Sequence, residues 1–258
     1  VALRRHLPES RVGWVVEASF APLLESHPDV DQVIVARTKR WRRRPFTGDT
    51  LRQAADFGRR LADFGADVVL DLMGNHKAGA IAALTMADRR VGLERRHRRE
   101  PSSAIWLSET CARRGPHAVE HALSVLSALD IPAEPADFGA DRIFPDARLD
   151  ALTDAGGNRP YVAILPGAGW DNKRYPARRW GEVAAALDDA GLESRVLPGP
   201  GEEGLAEEVA TASGGRARVI AGDGLEHLTA ALRGARLALG GDTGPIHLAH
   251  ALGTPVLC

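Results

Sequence analysis

Four segments of the sequence carry side chains suited to chemistry, and each stands where an apolar run gives way to a helical one. The last reads Leu239-Gly240-Gly241-Asp242-Thr243-Gly244-Pro245-Ile246-His247, continuing through His250 to Pro255. A strand ending here and a helix opening at Pro245 would leave the amides of Thr243 and Gly244 facing an anion, with the helix dipole behind them. Asp242 would repel a phosphate, so its chemistry is to accept from a ligand hydroxyl or to fix the turn. His247 falls on the first turns of that helix, with His250 three residues on. Asp242, His247 and His250 have the composition of a metal triad. However, a His-x-x-His spacing in a short helix with no further ligand cluster favours buried or capping histidines, so no metal site is expected.

The other three segments are less distinctive. Leu165 to Pro176 contains Gly167, Ala168 and Gly169, then Lys173 three residues before Pro176. The glycines let backbone approach a ligand and the lysine supplies a point charge suited to a diphosphate; an ordinary βα loop with a solvated lysine would look the same. Glu202, after Pro198-Gly199-Pro200-Gly201, either accepts from ribose hydroxyls or stabilises a helix start. Asp223, between Gly222 and Gly224, reads chiefly as a helix cap.

Elements that would position these residues follow from periodicity. Apolar runs at 161–165, 194–197, 218–220, 237–239 and 254–257 read as strands. Between them, 177–190, 202–212, 225–233 and 245–252 have helical spacing. Strand and helix alternate, which predicts parallel sheets with crossover helices, and ligands bind at the carboxyl ends of such strands. The first half repeats this grammar, with strands at 12–16, 30–35, 67–72 and 90–93 and helices at 51–64, 77–86 and 117–129. A stretch from Ile131 to Pro160, punctuated by Pro132, Pro135 and Pro145, reads as the connection between domains 1–148 and 149–258. Val1 to His6 reads as the tail of a βα unit and 254–257 as a strand without its helix, so both ends are expected to be truncated.

Composition narrows the class. The chain has 258 residues, 44% apolar and 26% charged, with a net charge of −1, the balance of a folded globular protein. No apolar run is long enough to cross a membrane. Cys111 and Cys258 are too few and too isolated for a disulfide framework, so a reduced, cytoplasmic protein is expected. Cations cluster in two places, Lys39-Arg40-Trp41-Arg42-Arg43-Arg44 and Arg95-Arg96-His97-Arg98-Arg99. Two such runs in one domain point to an anionic partner, although a single run is as readily a solvated face. With near-neutral charge and few aromatics to stack on, a nucleic-acid partner is not expected.

The block Asp242-Thr243-Gly244-x-x-His247-Leu248-Ala249-x-Ala251-Leu252-Gly253-Thr254-Pro255 resembles the signature of glycosyltransferase family 9, the lipopolysaccharide heptosyltransferases. The Pro-Gly…Lys173-x-x-Pro176…Trp180 segment is similar to that family's donor-phosphate loop. Trp14-Val15-Val16-Glu17-x-Ser19-Phe20, Lys39 to Arg43, Arg99-Glu100-Pro101 and His117-Ala118-Val119-Glu120 resemble its first half and lean towards heptosyltransferase I. Ala168 and Gly169, where that subfamily has hydroxyl residues, are closer to heptosyltransferase II.

The resemblance implies a GT-B fold, two Rossmann-like domains facing a cleft, and inverting transfer of heptose from ADP-heptose to a Kdo-bearing lipid A core. It implies that Lys173 holds the donor diphosphate and stabilises the leaving group. Gly167, Ala168, Gly169, Glu202, Asp223, Asp242, Thr243, Gly244 and His247 would complete the donor pocket, Glu202 at the ribose and Asp223 near the adenine, with Asp242 grouped with Lys173 as catalytic. Lys39, Arg40, Arg42, Arg43, Arg99 and His117 would meet the anionic glycolipid, with peripheral contact at the inner membrane; the ADP-sugar is a substrate, so no cofactor is implied. The family's general base, an aspartate of a Gly-Asp pair after the first strand, would precede Val1. A hexosyltransferase, a nucleotide-sugar epimerase and a non-catalytic nucleotide-sugar-binding module remain as alternatives.

Overall fold

A computed structural model describes residues 1–132, 137–152, 159–220, 222 and 224–258. The chain forms two compact units, Val1–Asp137 and Phe138–Cys258.

In the first unit the order is α1 (Ala2–His6), β1 (Gly13–Glu17), α2 (Pro22–Glu25), β2 (Gln32–Ala36), α3 (Thr38–Arg43), α4 (Gly48–Phe64), β3 (Val68–Asp71), α5 (His76–Leu84), β4 (Arg89–Leu93), β5 (Glu109–Cys111) and α6 (Ala118–Ser124). Strands β1 and β2 pair in parallel, and β3, β4 and β5 form a second parallel sheet in that order. Ile34 and Ala36 of β2 pack against Phe57 and Leu61 of α4, with Trp41, Phe64 and Ile81 alongside. Helix α4 starts at a Thr47 cap, whose hydroxyl accepts from the Thr50 amide, and stops at Gly65 in the left-handed region.

The second unit continues with α7 (Asp146–Leu152), β6 (Tyr161–Leu165), α8 (Ala177–Asp189), β7 (Glu193–Val196), α9 (Glu203–Ala212), β8 (Ala217–Val219), α10 (Gly224–Arg233), β9 (Leu237–Gly240), α11 (Gly244–Ala251) and β10 (Val256–Leu257). Its sheet is wholly parallel, ordered β10-β9-β6-β7-β8. All five residues of β6 are buried. Tyr161, Ala163 and Leu165 face Leu232, Ile246 and Ala249 of α10 and α11, whereas Val162 and Ile164 face Trp180, Ala184, Ala206 and Val209 of α8 and α9. Covering both faces is why β6 reads as an unbroken apolar run, and each large aliphatic buried there contributes about 1.5–3 kcal/mol. The Tyr161 hydroxyl donates to the Ala231 carbonyl at 2.7 Å, and burial pushes its pKa up.

Four expectations change. Helix 117–129 is α6 followed by a 3-10 turn over Val125–Leu129, closed by Asp130 with φ 55°. Strand β5 was not expected, because Glu109-Thr110-Cys111 has no apolar run and is a strand only through pairing with β4. The Lys39–Arg44 run, assigned to no element from the sequence, is largely the helix α3. Within the connecting stretch, residues 146–152 form α7, which packs on α10 and is tied to it by an Arg233–Asp146 ion pair of 2.6 Å; Pro135 and residues 153–158 lie outside the described residues.

Candidate active site

Strand β6 is the point at which the second sheet reverses direction. The chain moves outward from β6 through β7 to β8, then returns to the other side of β6 for β9 and β10. Ligands in open parallel sheets bind outside the carboxyl ends of the strands flanking such a reversal. The loops at that position are those after β6 and β9, and they carry Gly167 to Lys173 and Asp242 to Gly244.

The β6 loop ends in a 3-10 turn over Asp171–Lys173, in which the Lys173 amide donates to the Trp170 carbonyl at 3.0 Å. Asp171 pairs with Arg174 at 2.9 Å. Lys173 is exposed and has no ion-pair partner among the described residues. The two loops meet: a Cβ placed on Gly241 would lie 3.9 Å from the Lys173 carbonyl oxygen. On the β9 side, Thr243 caps α11 in an extended conformation, and its side chain makes no capping bond. The first amides of a helix have no intrahelical acceptor, so the start of α11 at Gly244 offers donors and a positive dipole end beside a free lysine.

His247 Nε2 lies 2.9 Å from Asp242 Oδ1, and both side chains are exposed. His250 does not join them; its ring makes an edge contact with Phe138 at 6.0 Å. Among the described residues no group of three or more His, Cys, Asp or Glu is placed to hold a metal. Ala168 and Gly169 lie in the β6 loop between Gly167 and the Lys173 turn.

Glu202 stands at the helix start, one of the two positions read for it in the sequence. It is the residue before α9, and its Oε2 accepts from the Gly199 amide at 2.9 Å. The same carboxylate lies directly over Gly167, so that any Cβ there would collide with it. Gly167 is therefore a glycine for close approach, and Glu202 joins the loops after β6 and β7 into one wall. Asp223 lies outside the described residues.

In the first unit the candidate residues again follow strand ends. Lys39, Arg40, Arg42 and Arg43 lie on α3, just after β2, and are exposed. Arg40 is partly neutralised by Asp49 at 2.8 Å, whereas Arg42 and Arg43 have no ion-pair partner among the described residues. The α3 start is held by Glu17 at the end of β1, which accepts from the Thr38 hydroxyl at 2.6 Å and the Lys39 amide at 3.3 Å. Lys77, on the first turn of α5, donates to the Thr38 hydroxyl at 3.4 Å, so the ends of β1, β2 and β3 meet there. Lys77 escaped the sequence reading because it belongs to no run, although its place just past a strand end was an available signal.

The second basic run divides. Arg95, Arg96 and Arg99 are exposed, but Arg98 is buried against Asp71 and is no part of an anion-binding surface. His117 caps α6, its Nδ1 accepting from the Val119 amide at 3.3 Å while Glu120 accepts from the His117 amide at 2.7 Å. No hydrogen bond links α3, Arg99 and His117 among the described residues.

Residues 54–258 match the profile of glycosyltransferase family 9 (heptosyltransferase). The chain belongs to that family. Its sequence is 32% identical to lipopolysaccharide heptosyltransferase 1 of Pseudomonas aeruginosa, over 98% of this chain and 70% of the relative. The figure is 27% for lipopolysaccharide heptosyltransferase 1 of Escherichia coli strain K12, over 96% of this chain and 77% of the relative. Among solved structures, E. coli heptosyltransferase WaaC with ADP-2-deoxy-2-fluoro heptose superposes with a TM-score of 0.84 at 25% identity, covering 99% of this chain and 80% of that one. The fold is thus GT-B, and the chain is a glycosyltransferase of the heptosyltransferase type. No described helix is long and apolar enough to cross a membrane.

Proposed function

We propose that this protein transfers a heptose from ADP-heptose to the Kdo-bearing lipid A inner core, with the donor held by the second unit and the acceptor by the first. The observation that carries the reading is the meeting of the β6 and β9 loops at the sheet reversal. There an unpaired lysine stands beside a helix N-terminus, a donor set suited to a diphosphate. It is supported by the ADP-heptose analogue named in the related WaaC structure.

On this reading the acceptor hydroxyl loses its proton to a general base and attacks the sugar C1 from the face opposite ADP, inverting that centre. The C1–O bond to the diphosphate breaks, and Lys173 with the α11 amides stabilises the charge left on the departing phosphate. Asp242, steadied by His247, accepts from a donor hydroxyl, and Glu202 accepts from the ribose. Lys173 and the amides meet the diphosphate charge directly, so the reading requires neither a metal nor a cofactor. Arg42, Arg43 and Arg99 hold the acidic groups of the acceptor, and the same cations would favour peripheral contact with the anionic cytoplasmic face of the inner membrane.

Incubating the protein with ADP-heptose and Kdo-lipid A, and reading acceptor mass, tests the proposal. A gain of one heptose is expected. Binding of ADP-heptose without transfer would redirect the search to another acceptor, and loss of both binding and transfer would overturn the reading.

A further inference from the structure

The most heavily buried charges in the first unit stand immediately beside Arg99. The Arg98 and Asp71 side chains are 0% and 1% exposed, and Arg98 Nη2 donates to Asp71 Oδ2 at 2.5 Å. Asp71 is the last residue of β3, and its other oxygen accepts from the Met73 and Gly74 amides at 3.0 and 3.1 Å. Arg98 Nε donates to the Ser103 hydroxyl at 2.8 Å. That hydroxyl lies 2.6 Å from the Glu100 carbonyl and 3.2 Å from the Gly74 carbonyl. Gly74, with φ +62°, packs so closely that a Cβ would sit 3.2 Å from the Arg99 amide nitrogen. Further links run from Glu100 N to Gly74 O at 3.0 Å and from His76 N to Glu100 Oε2 at 2.7 Å.

These bonds zip the loop after β3 to the loop after β4. A buried ion pair is a poor source of net stability, because desolvation offsets its attraction. What it supplies is a fixed geometry, since its polar partners tolerate few alternatives. The residue whose backbone is fixed on both sides, by Arg98 before it and Glu100 after it, is Arg99, and its side chain is exposed.

We infer that Arg98, held by Asp71 and Ser103, is a positioning residue that presents Arg99 to an anionic acceptor. The inference rests on the acceptor role of Arg99 given above. Arg98 itself touches no ligand. It acts by removing the conformational freedom that Arg99 would otherwise lose on binding, a cost that weakens association when it is not met in advance.

The test is a double-mutant cycle on acceptor affinity in the whole protein, using Kdo-lipid A as the probe and ADP as the control ligand. Ser103→Ala removes the Nε partner while leaving the Asp71–Arg98 pair in place, and ADP affinity reports whether the fold is kept. Expected is a loss of acceptor affinity of about tenfold, with ADP affinity unchanged. In an Arg99→Ala background the same substitution should have no further effect. If Arg99→Ala weakens the acceptor but Ser103→Ala has no effect, or weakens it equally in both backgrounds, the positioning role is overturned. If Arg99→Ala leaves acceptor affinity unchanged, the acceptor role of Arg99 falls and the inference falls with it. A parallel loss of ADP and acceptor binding would mark Ser103 as merely structural and would also overturn the proposal.

Discussion

The two units place their candidate residues by opposite means. In the second, the loops spring from a strand buried on both faces, and backbone and glycine do the positioning: Gly167 yields to the Glu202 carboxylate, and Gly241 lies against the Lys173 carbonyl. In the first, none of β1's five residues is buried, and the loops after β3 and β4 are tied by a buried ion pair and its hydroxyl partner. An apolar sheet fixes strand ends by packing, which is undirected and robust to small changes. A buried polar node fixes them by directed bonds, each of which is expensive to leave unmade.

The largest consequence should therefore follow from breaking that node. Asp71→Ala leaves Arg98 buried without its counter-charge and should cost about 3–5 kcal/mol of stability. Thermal unfolding would register this as a large fall in Tm, and a Tm close to the parent's would mean that the node is dispensable. Next in size is Lys173→Ala, which should lower kcat/KM for heptose transfer by about 10²–10³-fold, the range found when one transition-state donor is removed. The fold should survive, since Lys173 is exposed and unpaired among the described residues. An unchanged kcat/KM would remove it from the mechanism.

The smallest of the three sharpens the contrast. Gly167→Ala drives the Glu202 carboxylate off the Gly199 amide, and because that carboxylate ends a flexible side chain, the sheet need not move. ADP affinity should fall by about tenfold, the value of one charge-assisted hydrogen bond, with Tm nearly unchanged. A titration in which ADP affinity held while Tm dropped would show that Gly167 serves packing instead.

Much of this was legible in the residues. The run Tyr161 to Leu165, the glycine-flanked Asp242-Thr243-Gly244 turn and Pro245 at a helix start are local signals, because period, backbone freedom and capping act over a few residues. The family block at 242–255 sharpened them. Less visible were elements that exist through partners far away in the chain. Strand β5 carries no apolar run, and α7 lies in a stretch whose prolines suggested only a connection.

What the sequence determined by itself was the alternation of strand and helix, and with it the rule that chemistry sits at strand carboxyl ends. Tertiary structure alone decided which charges are available there. Arg98 and Arg99 are adjacent and identical in type, yet one is sealed against Asp71, 27 positions earlier, and the other is exposed. Glu202 reads as a helix-start carboxylate, and only the folded chain lays it over Gly167. Burial and pairing depend on which distant segments meet, and no spacing within a run of like charges encodes that meeting.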